Sequence, residues 1–173
     1  MAGLGDIVAA VDAFMASPKR IVGAEFAPQW GPGFTPHEVV AKYPLEIEGE
    51  MRGSQLSVVG FPHQRELKFR LGILFPAMIC RLDYTDETHP NSIDGAMSGA
   101  VPPIVVGPHY HSWPHNRRFF RGVTKPPELH DAIPYPGNAR TFDSVLRWFC
   151  ADTNIESLPP GHAIALPPPD RFI

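Results

Sequence analysis

Proline constrains this chain more than any other residue type. There are 21 prolines in 173 residues, clustered at Pro102–Pro103, Pro126–Pro127, Pro134 and Pro136, Pro159–Pro160 and Pro167–Pro169. Each removes a backbone donor and holds φ at roughly −65°. Long helices and central strands are therefore excluded from most of the C-terminal half. That half must be built from fixed loops and short pieces.

Apolar spacing predicts the regular elements elsewhere. Leu4, Ile7, Val8, Val11, Phe14 and Met15 recur on one helical face, which predicts a helix over 4–16, ended by Ser17-Pro18. Residues 45–51 alternate apolar and acidic, as a half-buried strand does, with a turn at Arg52-Gly53-Ser54. Glu46, Glu48 and Glu50 read as its wet side. Further strands are expected over 55–59, 66–75 and 77–84. In the third, Leu67, Phe69, Leu71, Ile73 and Phe75 share a face opposite Lys68 and Arg70. Short turns between them imply an antiparallel meander. Residues 85–140 read as mostly loop, with a short apolar segment at 104–106. A last helix is expected over 141–151, with Phe142, Val145, Leu146 and Phe149 on its apolar face. The expected fold is α+β in one domain over 1–173: N-terminal helix, four-stranded antiparallel meander, long proline-rich loop, C-terminal helix.

Charge and cysteine usage narrow the function classes. Fifteen basic residues against eighteen acidic ones give a net charge of −3. No global basic field draws the chain onto nucleic acid, which leaves only a local patch at Arg117–Arg121. Cys80 and Cys150 form no Cys-x-x-Cys pair, so a cysteine-rich zinc site is excluded. They read as buried thiols of a reducing cytosol. The first eleven residues lack a basic segment followed by a long apolar one, so no signal peptide is expected. The longest apolar run, Leu71–Cys80, is broken by Gly72 and Pro76 and reads as core. The expected location is the cytoplasm, with no membrane partner.

The chemistry concentrates in residues 85–121. Five of the eight histidines fall at His89, His109, His111, His115 and His130. In an extended segment His109 and His111 point to one face, with Tyr110 on the other. Two imidazoles so placed can share a metal, zinc first, and His115 would complete the set if the chain turns at Trp113-Pro114. A metal-free site would use His109 or His111 as general base, with Arg117, Arg118 and Arg121 holding a phosphate. That arrangement would suit a hydrolase such as an RNA-cleaving toxin or phosphodiesterase. A third reading has the histidines simply hydrogen-bonding the loops around them. The catalytic candidates are His89, Asn91, His109, His111 and His115. Asp83, Asp86 and Glu87 read as exposed loop charges.

His89-Pro90-Asn91 follows the fourth expected strand, Phe75-Pro76 lies near the end of the third, and Trp113-Pro114 lies downstream. In that order these motifs resemble the ubiquitin-conjugating enzyme superfamily over roughly residues 4–115. The resemblance implies a conjugating-enzyme-like fold in which Asn91 steadies an oxyanion or orders the active-site loop. It also implies a partner, either a ubiquitin-like protein or its activating enzyme, in a bacterial-type ubiquitin-like conjugation pathway. The activating enzyme would be received by the 4–16 helix. The family's cysteine should follow Asn91, yet residues 92–108 contain none. As written, the chain is then a conjugating-enzyme-like transferase without an evident nucleophile, needing no cofactor.

Thioester chemistry needs a thiolate. The chain should therefore accept no reducible adduct from an activating enzyme. A thiol-sensitive band on a gel, lost on substitution of Cys80 or Cys150, contradicts this.

Overall fold

The computed structural model describes residues 7–123, 127–156 and 158–169. The N-terminal helix α1 runs Ile7–Ala16, with Val11 and Phe14 buried. Leu4 lies outside the described residues. Two short strands follow, β1 (Arg20–Ile21) and β2 (Gly31–Pro32). The long strands are β3 (Val39–Ile47), β4 (Glu50–Gly60), β5 (Phe69–Leu74) and β6 (Met78–Tyr84). Then come β7 (Thr88–Pro90), α2 (Ile93–Met97), β8 (Ile104–Val106) and β9 (His109–His111). α3 (Trp113–Asn116) runs into a 3-10 turn, Arg117–Phe120. β10 (Ile133–Pro134) and α4 (Phe142–Asp152) complete the described elements.

The expected layout of one helix on a four-strand meander is corrected by the sheet itself. Eight strands join in the order β1-β3-β4-β5-β6-β9-β10, with β2 also on β3. Every pairing in it is antiparallel. β7 and β8 form a separate antiparallel pair. The ubiquitin-conjugating layout is therefore overturned: the chain is a large antiparallel sheet with four short helices among the described residues. The region expected to be loop supplies β9 and β10, which extend the sheet beyond β6. The first hairpin also turns elsewhere than expected. Ile47 pairs with Glu50, so Glu48 and Gly49 form the turn, with φ of 51° and 84°. Positive φ at both positions is what a tight two-residue hairpin requires. Glu48 thus sits in the turn rather than on a strand face.

The register divides the sheet into two chemical faces. Val58, Leu71, Leu82 and Tyr110 form one cross-strand row, and Leu56, Ile73 and Cys80 another. All seven are buried. Each aliphatic side chain so buried contributes about 1.5–3 kcal/mol. α4 packs here: Phe142 meets Phe69 edge-on at 5.1 Å, and Phe149 meets Tyr110 at 6.1 Å. α1 adds Phe14, stacked on Phe75 at 4.2 Å. Because side chains alternate, Arg70, Arg81, Asp83, His109 and His111 must face the other way. Cys80 and Cys150 are core thiols, and burial pushes each up to about 12. Among the described residues, no helix is long and apolar enough to cross a membrane.

The ends of α1 and α4 are locked together. Asn154 takes φ 55°, while Ile155 N–H reaches Cys150 O at 2.7 Å and Asn154 N–H reaches Ala151 O at 3.3 Å. Those two bonds close α4 in a Schellman turn. The Asn154 side chain also donates to Ala16 O at 2.7 Å, capping α1. Lys19, 1% exposed, donates to the carbonyls of Phe14, Met15 and Ser17. An ammonium with three donors fits three carbonyls gathered at the end of α1. Burial nonetheless pushes Lys19 down from 10.5 to about 8.

That shift carries a sign. Below pH 8 Lys19 is charged in both states and the burial penalty is complete. As pH rises from 8 to 10.5 the unfolded chain keeps more of the proton, so stability rises. The melting temperature of the wild type relative to Lys19→Met should increase from pH 8 to 10. A flat or shrinking gap contradicts the assignment.

Candidate functional site

The polar face of the sheet centres on one carboxylate. β6 and β9 pair Asp83 with His109 and Arg81 with His111. Arg81 and Asp83 are two residues apart on one strand, and His109 and His111 are two apart on the next. Period-two alternation therefore points all four to the same side. Asp83 is 2% exposed. Arg81 grips it with two bonds, Nε to Oδ1 at 2.7 Å and Nη2 to Oδ2 at 2.8 Å. His109 Nε2 lies 3.3 Å from Oδ2 and His111 Nε2 3.7 Å. Arg70 Nε stands 3.8 Å from Oδ1 and pairs onward with Glu38 at 2.6 Å.

These contacts decide the charge states. Burial alone would raise the Asp83 carboxyl, but the neighbouring His109 and His111 rings and the Arg81 guanidinium outweigh it and hold it well below the usual carboxylate range. For His109, burial acts downward, and Asp83 with the Gly107 carbonyl overrides it, so its affinity for a proton is raised. For His111 burial wins, and the ring is pushed toward the neutral form. Asp83 is thus a paired, buried anion rather than the exposed loop charge expected from its position.

The third imidazole comes from the β7–β8 hairpin. His89 and Val105 pair across it and face inward, while Thr88, Pro90, Ile104 and Val106 face out. The His89 ring lies 4.5 Å from that of His111 and 5.3 Å from that of His109, centroid to centroid. His109 and His111 are 5.2 Å apart. One nitrogen from each of the three falls within 4.8 Å of the others, a set that could hold a metal ion. The expected third ligand, His115, is not in the set. α3 turns it away, and its Nδ1 meets Ser112 Oγ at 2.6 Å.

Hydrogen bonds assign the ring nitrogens. A carbonyl only accepts, so His89 Nε2, 3.0 Å from His130 O, carries a proton and leaves Nδ1 as the donor atom. His109 Nδ1 lies 2.8 Å from Gly107 O and is protonated in the same way, while its Nε2 faces Asp83 Oδ2 at 3.3 Å and becomes a ligand atom only on giving up the proton that Asp83 favours there. Arg81 only donates, so His111 Nε2, 3.3 Å from Arg81 Nη2, accepts and Nδ1 carries the proton of the neutral ring, buried with no hydrogen-bond partner among the described residues. Leaving such a group unsatisfied costs about 1–3 kcal/mol.

Residues 130–132 hold this arrangement in place. His130 O takes His89, and Asn91 brackets Ala132, its Nδ2 donating to Ala132 O and its Oδ1 accepting from Ala132 N–H, both at 2.7 Å. Asn91 Nδ2 also donates to Pro102 O at 2.7 Å. Asn91 is thus engaged as a loop brace. Asp131, 1% exposed, accepts from Ser92 N–H and from Arg118. Asn116 fastens the Asp131 backbone through both amide atoms. A Cβ on Gly95 would sit 2.7 Å from Asp131 Oδ2, so only glycine fits there.

The expected arginine cluster is dispersed. Arg117 is held by Asp12, which also accepts from Trp113 Nε1 at 2.8 Å. Arg117 is the main reason the Asp12 carboxyl falls to about 2. Arg118 is held by Asp131 and Ser92. Arg121 is exposed. Two of the three guanidiniums already have carboxylate partners, so the geometry builds no shared anion cradle from them. The chain matches no family model, no curated protein and no solved structure.

Removing one partner of a buried ion pair is far costlier than removing an exposed one. Asp83→Ala should lose about 3 kcal/mol or more in denaturant unfolding. Asp86→Ala, which removes an exposed partner of Lys68, should lose far less. Equal, small losses contradict the buried network.

Proposed function

We propose that this is a zinc-binding protein, with His89, His109 and His111 as the ligands of one centre where the β7–β8 hairpin meets the sheet. The observation that carries the reading is the convergence of the three donor atoms within 4.8 Å. The carbonyl bonds of His89 and His109 support it further. Metal-bound histidines commonly donate their other N–H to a carbonyl or carboxylate, which fixes the tautomer and aims the lone pair.

Neutral imidazole donors suit zinc, copper, iron and nickel, and zinc is the first choice for a site without redox partners. Arg81 is the electrostatic objection, standing 3.3 Å from His111 Nε2. Both its bonds to Asp83 neutralise it locally, so the ion would meet a guanidinium–carboxylate pair rather than a bare cation.

His109 and His111 are 2% and 0% exposed. Such burial favours a closed, structure-holding centre over an open, water-activating one. The ion would staple the hairpin to the sheet, replacing apolar burial that a three-residue β7 and a three-residue β8 do not supply. Hydrolytic chemistry at this centre is the second reading. It rests on the half-buried His89, the one ligand with solvent on its side.

Protein purified without an affinity tag should carry close to one zinc per chain. His89→Ala and His111→Ala should each lose it, whereas His115→Ala should keep it. Elemental analysis reads the result. Zinc near zero in the wild type, or retained unchanged in His111→Ala, contradicts the proposal.

A further inference from the structure

The strand that carries His109 and His111 on one face carries Tyr110 on the other, and the next residue of that face is Ser112. A cavity of about 360 Å³ opens there, lined by Tyr110, Trp113, Pro114 and Ile133 together with Ser112 and Asp152. Its size is at the lower end for small-molecule sites, and its walls are mainly apolar and aromatic, as such sites are. The Tyr110 hydroxyl donates to Asp152 Oδ2 at 2.7 Å, which occupies the polar groups of that wall.

Ser112 stands at the N-cap of α3, yet its side chain makes no capping bond. A serine there ordinarily accepts from a backbone N–H of the first turn. Here the hydroxyl instead meets His115 Nδ1 at 2.6 Å. That is within the reach a general base needs of the proton it removes. His115 is half-buried, so its ring keeps contact with water. Ser112 is 7% exposed and borders the cavity. The fold thus forgoes a helix cap and places a serine–histidine pair at the rim of an apolar pocket.

We infer that Ser112 is a nucleophile, with His115 as its general base, toward small carboxylic esters with an apolar acyl group. In the first step Ser112 Oγ bonds to the ester carbonyl carbon while its proton passes to His115 Nδ1. The carbon–alkoxy bond then breaks, and the leaving alkoxide takes the proton from His115. In the second step water attacks the acyl-serine and gives a proton to His115. The acid departs, and Ser112 Oγ recovers that proton. This chemistry uses neither the three-imidazole centre nor a metal, so it stands apart from the zinc reading.

The test treats the native chain with a fluorophosphonate probe and maps the adduct by peptide mass. The expected result is one adduct, on Ser112, absent from Ser112→Ala and formed ~100-fold more slowly in His115→Ala, the usual size of a lost general base. Should His115→Ala lower the melting temperature, His115→Gln keeps a polar side chain without the base and gives the same comparison. Ser112→Cys supplies an independent arm. Iodoacetamide should alkylate the new thiol in the folded protein, and slower when His115→Ala is added, while buried Cys80 and Cys150 stay unmodified. No adduct on the native chain, labelling at Tyr110 instead, or a rate at Ser112 indifferent to His115 overturns the inference.

Discussion

A carboxylate with almost no access to water needs compensation on every side, and Asp83 has it. Burying such a charge unpaired would cost several kcal/mol. Arg81 supplies two bonds from the same strand, His109 and His111 come from the next, and Arg70 closes in from the strand before. Each partner reaches Asp83 only because β5, β6 and β9 pair in one register. A slip of a single residue would turn these groups into the apolar core and bring Leu82 and Tyr110 out. The ion pair therefore does more for uniqueness than for stability: it specifies which face of the sheet is polar and where β9 must lie.

That polar face would be wet without a cover, and the β7–β8 hairpin is the cover. The hairpin is too small to hold itself in place by burial. Its position comes from Asn91, Ser92 and His89 bonding to residues 130–132, with Asn116 and Arg118 fastening that segment from behind. Proline is compatible with this economy. Pro90 and Pro134 end strands, and Pro102 and Pro103 offer carbonyls to Asn91 without needing donors of their own. Loops so fixed lose little further entropy on holding functional groups. β9 then serves two surfaces at once: imidazoles toward the hairpin, and Tyr110 with Ser112 toward the cavity.

Part of this was legible in the sequence. α1, α4, β5 and β6 show because their apolar residues recur at helical or alternating spacing, whereas the alternation over 45–51 runs unbroken through the Glu48-Gly49 turn and hides where β3 ends and β4 begins. β2, β9 and β10 have two or three residues each, too few for any period to show, and Pro32 and Pro134 argue against strands at all. Reading 85–140 as loop truncated the sheet at β6 and produced the four-strand layout. The His109-x-His111 pair was visible through alternation. His89 stood among the catalytic candidates but not among the metal ligands, because only the hairpin fold-over brings it near, and His115 was expected as the third ligand for its proximity along the chain. Arg81-x-Asp83 shows the same alternation as the histidine pair, and that shared pattern was the available signal for a common polar face. The partners of Arg117 and Arg118, Asp12 and Asp131, are remote or loop-bound, so the guanidiniums looked free.

The polar face brings three imidazoles within reach of one ion, and the zinc proposed there fixes their separation. X-ray absorption at the zinc edge of the zinc-loaded protein tests it most directly. Ligation by the three rings should give nitrogen scatterers at about 2.0–2.1 Å with the outer-shell pattern of imidazole. A sulfur shell at about 2.3 Å, or an oxygen shell with no imidazole pattern, would contradict it.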